Sequence, residues 1–163
     1  LPAYITHPDC SRHEMGPDHP ECPERLGAIN DMLLTKGLLD YMISYDAPMA
    51  TVEQLGRAHA TGYVNEIMAA SPKEGFHRLD PDTSMNPYTV RAALRAAGSA
   101  VLATDLVLAG EAPSAFCCVR PPGHHAERAA AMGFCFFNNV AVGIRHALDE
   151  VVHQIRNILP TTR

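Results

Sequence analysis

Residues 115–119, Ala-Phe-Cys-Cys-Val, form an apolar run closed by Pro113 on one side and by Arg120-Pro121-Pro122-Gly123 on the other. A short run without polar alternation, bounded by turn residues, predicts a fully buried strand of a parallel sheet. Parallel strands need long crossover connections, usually helical, so this strand sets the fold class as α/β. Ligands of open α/β sheets bind beyond the carboxyl ends of the strands, which makes the loop opening at Pro121 the first place to look for a site. That loop holds two adjacent histidines, His124 and His125. Taken alone, such a pair reads as ordinary surface-loop histidines. Its frame argues for more. Pro121-Pro122-Gly123 stiffens the approach and then permits a close turn, and Met132-Gly133-Phe134-Cys135-Phe136-Phe137 is too apolar for a solvated loop and should line something.

The preceding chain reads as scaffold for that loop. Residues 3–6 are a first strand, leading into a loop over 7–21 that is too long to be only a connector. Pro23 suits a first helical turn, Leu26, Ile29 and Leu33 repeat at helical spacing, and Lys36-Gly37 is a stop, so 23–36 is a helix. A second strand is expected at 41–45, and Thr51 with Gln54 has the spacing of a capping box opening a short helix to Gly56. His59, read as a hydrogen-bonded structural histidine, precedes a helix over 61–70. Residues 72–86 are polar and read as a loop. Asn86-Pro87 then opens a long helix ending near Ala109-Gly110, with Val90, Leu94, Ala97, Val101 and Leu108 on one face and small residues on the other. After the histidine loop, Asn138 or Asn139 caps a helix running through His146 to about residue 158, where Pro160 stops it.

Composition excludes several classes. The formal net charge is −5 and the isoelectric point near 6.0, against direct nucleic-acid binding, which needs a basic face. No apolar stretch approaches the ~20 residues of a membrane span and no signal-like segment opens the chain, so a cytoplasmic protein is expected. Five cysteines, three of them in apolar runs, fit free buried thiols better than a disulfide framework. Cys10, His13, His19 and Cys22 have the spacing C-x2-H-x5-H-x2-C, which superficially resembles a structural zinc site. Prolines at 8, 17, 20 and 23 crowd that segment and argue against it.

RPPGHHAE followed by GFCFFNNVAV resembles the signature of the zinc-dependent histone deacetylase family, including its bacterial deacetylase-like and acetylpolyamine amidohydrolase members. The resemblance implies an arginase/deacetylase-like fold: a three-layer α/β architecture in which a parallel sheet is flanked by helices. It implies that His124 and His125 are the tandem catalytic pair, His125 as general base and His124 as its electrostatic partner. Phe134, with Gly133 before it, then walls the acetyl-lysine channel. The early segment HPDCSRHEMGPDHPECPERL also resembles the family and carries Arg25 to the polar floor beneath the acetyl pocket. A rim aspartate that orients the substrate backbone maps to Asp82, and less closely to Asp80. Residues alone read Arg25 as a surface residue at a helix start and Asp82 as a turn residue.

The family's zinc ligands come from an Asp-x-His segment and a later aspartate, and its oxyanion donor is a later tyrosine. The chain has no Asp-x-His, and the resemblance fades after Leu148. It is read as a single α/β domain over 1–163 that is the truncated N-terminal portion of a catalytic domain, incomplete relative to the family. Its start at Leu1, with no initiator Met, fits that reading. Zinc is then expected for the complete domain and none for this chain alone, which is expected to be inactive. The expected partners are an acetylated amine in the complete domain, and either a second copy or the missing C-terminal portion covering the exposed sheet edge. Two alternatives stay open: a shortened, non-catalytic module that self-associates, and a metal enzyme drawing ligands from His7, His13, His19 and the tandem pair. The sequence does not decide between acetyl-lysine and an acetylated polyamine as substrate.

Overall fold

A computed structural model describes residues 1–158. Strands β1 (Ala3–Thr6), β2 (Ile43–Asp46) and β5 (Ala115–Cys117) form one parallel sheet in the order β2-β1-β5. Side chains alternate across β1, as a pleated strand requires. Ala3 and Ile5 face the long helix α4 (Thr89–Leu108), through Leu106, Leu102 and Ala103. Tyr4 faces the other way, onto Leu26, Ile29 and Leu33 of helix α1 (Glu24–Thr35). The layers are therefore helix, sheet, helix, and helix α5 (Asn139–Ile158) packs on the far side of α4. A second core joins α2 (Val52–Gly56), α3 (Thr61–Ala69), α4 and Phe136, Phe137 and Val142.

Local chemistry explains several boundaries. The Thr51 hydroxyl accepts from Gln54 N–H while the Gln54 side chain accepts from Thr51 N–H, the expected capping box. Asn138 caps α5, its Oδ1 accepting the Ala141 N–H at 3.0 Å. The expected stop at Pro160 lies outside the described residues.

Four expectations are corrected. The strand over 115–119 is shorter and is not fully buried, with Phe116 42% exposed. The reason is position: β5 is the sheet's last strand, bonded to β1 on one side only. Residues 72–86 are not all loop. They hold an antiparallel hairpin of β3 (His77–Asp80) and β4 (Thr83–Met85), anchored where Thr83 and Met85 turn inward. The second strand lies two residues later than its apolar start, after a 3-10 turn at Leu39–Tyr41. The helix after Asn86-Pro87 begins only at Thr89, because Asn86 Oδ1 accepts from Tyr88 N–H and from the Thr89 hydroxyl and so shapes the entry turn; at its other end Leu108 points to solvent.

Helix α5 carries two packing faces. Val142, Gly143 and His146 turn toward α4, with Gly143 against Ala100. A hydrogen bond between buried His146 and exposed Asp105 ties the helices: His146 Nε2 meets Asp105 Oδ1 at 2.6 Å and its Nδ1 meets Arg57. On the opposite side Val140, Ile144, Leu148, Val151 and Ile155, spaced by three and four, are exposed. That spacing lines one side of a helix. Phe116, also exposed, stands on the other face of the sheet beside Tyr4. Among the described residues no helix is long and apolar enough to cross a membrane.

Candidate active site

Because β1 and β5 run parallel, the loops that follow them leave from the same end of the sheet. One is the stretch from His7 to Glu21, the other the histidine loop. Arg120, fully buried, fastens the two. Its Nε and one terminal nitrogen donate to the two carboxylate oxygens of Glu21 at 2.7 and 2.6 Å. Its other terminal nitrogen donates to the main-chain carbonyls of Cys10 and His13 at 2.9 and 2.8 Å. A bidentate guanidinium with its remaining donors satisfied can remain charged out of water.

His13 lies beside this pair, also fully buried. His13 Nδ1 shares a hydrogen bond with Thr89 Oγ1 at 2.8 Å. Its Nε2 has no hydrogen-bond partner among the described residues and stands 3.8 Å from Glu21. Burial, reinforced by the nearby Arg120 charge, pushes its pKa down to about 3, so the ring is neutral.

The histidine loop is anchored at its return. His59 Nε2 accepts the Asn138 N–H at 2.9 Å, confirming it as a hydrogen-bonded structural residue, and the Tyr63 hydroxyl donates to the Phe136 carbonyl at 2.6 Å. Gly123 is required by close approach: a Cβ there would lie 2.4 Å from Asn139 N. Gly133, at φ +56°, does the same for His125, whose ring carbons would stand 2.9 Å from any Cβ at 133.

His125, Gly133 and Asp82 line one open groove of about 330 Å³, together with Asp80, Pro81 and Met132. The rings of His124 and His125 lie 4.2 Å apart, both exposed. Phe134 follows Gly133 and sits edge-on to His19 at 4.7 Å. His19 in turn accepts the Glu21 N–H at Nδ1 and donates from Nε2 to the Asp82 carbonyl at 3.0 Å. His124, Phe134 and Arg25 are not among the groove-lining residues; the first two adjoin it in sequence, whereas half-exposed Arg25 donates to Glu21 Oε1 at 2.9 Å. Asp80 is held acidic: burial opposes its ionisation, but the Asp82 and Thr83 donors outweigh it and bring its pKa below the usual carboxylate value.

Glu21, Arg120 and Thr83 were not singled out from sequence, and His19 was singled out only as a possible metal ligand. Glu21 and Arg120 are 99 positions apart, so no local spacing announces their pairing. The one available signal was a charged residue placed directly after an apolar strand, which must find a counter-charge or reach water.

A three-layer α/β fold with a tandem-histidine groove at the carboxyl end of a parallel sheet is the arrangement of a deacetylase domain, and the comparisons agree. Residues 19–159 match the histone deacetylase domain, and the chain belongs to that family. It is 38% identical over 157 residues to the mouse (Mus musculus) polyamine deacetylase HDAC10, a match covering 91% of this chain and 24% of that protein. It is 39% identical over 138 residues to a histone deacetylase-like amidohydrolase of Pseudomonas aeruginosa, covering 82% and 36%. It is 33% identical over 153 residues to a probable deacetylase of Archaeoglobus fulgidus, covering 93% and 42%. The crystal structure of the HDA15 HD domain superposes with a TM-score of 0.84 at 31% identity, over 91% of this chain and 44% of that one. The chain thus spans about a quarter of the HDAC10 relative and less than half of the solved domain.

The family generally depends on zinc. The residues here do not fit such a centre. Among the described residues no group of three or more His, Cys, Asp or Glu side chains is placed to hold a metal ion. Cys10, His13, His19 and Cys22 form no such group, and both ring nitrogens of His19 are engaged, by Glu21 and by Asp82. The carboxylates within 4 Å of an imidazole nitrogen among the described residues belong to the pairs His7–Asp9, His13–Glu21 and His146–Asp105, so neither tandem ring is oriented by a carboxylate.

Proposed function

We propose that residues 1–163 form one wall of a deacetylase active site, and that the complete domain hydrolyses the amide of an N-acetylated amine such as acetyl-lysine. The observation that carries this is the convergence of His125, Gly133 and Asp82 on one groove at the carboxyl end of the sheet. In this reading His125 takes the proton of the attacking water and His124 steadies the resulting charge. Gly133 and Phe134 wall the acyl channel, Asp82 holds the substrate from the rim, and Arg25 serves the acetate side through Glu21. Zinc, its ligands and the oxyanion donor belong to the rest of the domain, since the described residues hold no set that fits. The polypeptide 1–163 by itself is therefore inactive.

The same reading places the remaining portion of the domain against the free edge of β5 and the outer face of α5, whose exposed apolar residues need cover. A second reading, favoured by that same face, is a shortened non-catalytic module that pairs with its own copy. Sedimentation separates them: a monodisperse monomer of 1–163 removes the second. The expected partner is a small acetylated amine or acetylated peptide, not nucleic acid, in the cytoplasm. In the complete domain, His125→Ala is expected to lower kcat about 10²–10⁴-fold on an acetyl-lysine peptide, the usual contribution of a general base. An unchanged kcat would remove His125 from the chemistry.

A further inference from the structure

Thr83 is wholly buried in β4, beneath the groove. Its hydroxyl faces two groups at once. The Phe134 main-chain N–H donates to Thr83 Oγ1 at 3.0 Å, and the hydroxyl donates to Asp82 Oδ1 at 3.2 Å. Asp82 is further held by its own N–H, which donates to Asp80 Oδ1 at 2.9 Å, and by its carbonyl, which accepts from His19. Phe134 has φ +70°, a left-handed conformation that is unfavourable for a bulky L-residue. Such a conformation persists only where its surroundings hold it. Here the hold is the Thr83 hydroxyl on the amide and the His19 ring against the side chain.

The pairing is chemically selective. A hydroxyl offers one proton and lone pairs, so it can accept from Phe134 and donate to Asp82 together. Valine has the same shape and does neither. We propose that Thr83 is a positioning residue for the acylated amine: one hydroxyl sets both the direction of the Asp82 carboxylate and the seat of Phe134. Rim and channel wall are then a single unit, and the substrate's amide N–H and its acyl chain are aligned by the same bond pair. This rests on the deacetylase reading of the groove, in which Asp82 and Phe134 touch the substrate and Thr83 acts only through them.

The test uses the chain isotopically labelled at Asp and Phe, with Thr83→Val and Thr83→Ser, and N-acetyl-lysine methylamide as the added probe. Without probe, T83V is expected to speed hydrogen exchange at the Phe134 amide by about tenfold or more and to move the Asp82 carboxyl carbon signal, while T83S keeps both as in the parent. If T83V does not fold, Thr83→Ala serves as the hydroxyl-free variant. With probe, the Asp82 and Phe134 signals are expected to shift together in the parent and in T83S, and about tenfold more probe is needed in T83V. Parent-like Phe134 and Asp82 signals in T83V would overturn the positioning role. If the hydroxyl-free variant uncouples the two residues but the probe moves neither in the parent, Thr83 does not position an acylated amine in this chain and the proposal is overturned, while the deacetylase reading, which concerns the complete domain, stands or falls on the His125→Ala turnover.

Discussion

Replacing Arg120 with methionine is expected to lower the stability of the chain by about 3–5 kcal/mol, the cost of removing one partner from a buried ion pair. For a chain of this size that is a fall of roughly 10 °C in Tm. The physical reason is what remains behind. The Glu21 carboxylate is almost fully buried, and without Arg120 it keeps only the half-exposed Arg25 as a counter-charge. The Cys10 and His13 carbonyls lose their donor at the same time. Stability is only half of the effect, because Arg120 is also the fastening between the loop after β1 and the loop after β5. Its loss should loosen His19 and, through it, the Asp82 and Phe134 side of the groove. Replacing Glu21 as well, in R120M/E21L, is expected to recover part of the loss, since an apolar pair of similar volume removes the stranded charge. Urea unfolding of the two variants checks this, and an R120M variant within 1 kcal/mol of the parent would contradict it.

The second large effect is pH-dependent. His13 has a folded pKa of about 3, against ~6.5 for an unperturbed histidine. The unfolded chain therefore binds a proton that the folded chain does not, between those two values. Folding stability is full above pH 6.5 and falls as the pH drops toward 3. Between pH 7 and pH 4 the loss from this one group is about 3 kcal/mol. His59, also pushed down by burial, acts in the same direction. The carboxylates held below their usual range, Asp9 and Asp80, act only at lower pH, as protonation reaches them. Unfolding midpoints of the parent and of His13→Asn, measured from pH 7 to pH 4, isolate the term, because asparagine can still hydrogen-bond with Thr89 but does not titrate. The expected result is a clearly shallower acid slope in the variant, and equal slopes would show that His13 is not the group responsible.

Sequence periodicity and capping carried most of the architecture. The Leu26, Ile29 and Leu33 stripe, the Thr51–Gln54 box and the Asn138 cap each depend on neighbours within one or two helical turns, so their physics is local and readable. The exposure of β5 was not, because it depends on what lies beside the strand in the sheet. An apolar run looks the same whether its neighbouring strand is present or absent. The hairpin within 72–86 was hidden by its polar composition: only Leu79, Thr83 and Met85 turn toward the core. At the site, the tandem histidines, Gly133, Phe134 and Asp82 were found through a motif, and the structure brings His125, Gly133 and Asp82 to one groove. The residues that hold them there, Glu21, His19, Thr83 and Arg120, reach across 51 to 99 positions. Contacts of that span leave no trace in spacing.

The central claim is that this chain carries the histidine wall of a deacetylase site without the residues that complete it. The most direct measurement takes the purified polypeptide, its intact mass confirming residues 1–163, and determines bound zinc and acetyl-lysine peptide turnover on the same sample after incubation with zinc. The account predicts no retained stoichiometric zinc and no turnover above background. Zinc retained at about one per chain, with deacetylation that a zinc-chelating hydroxamate abolishes, would contradict it.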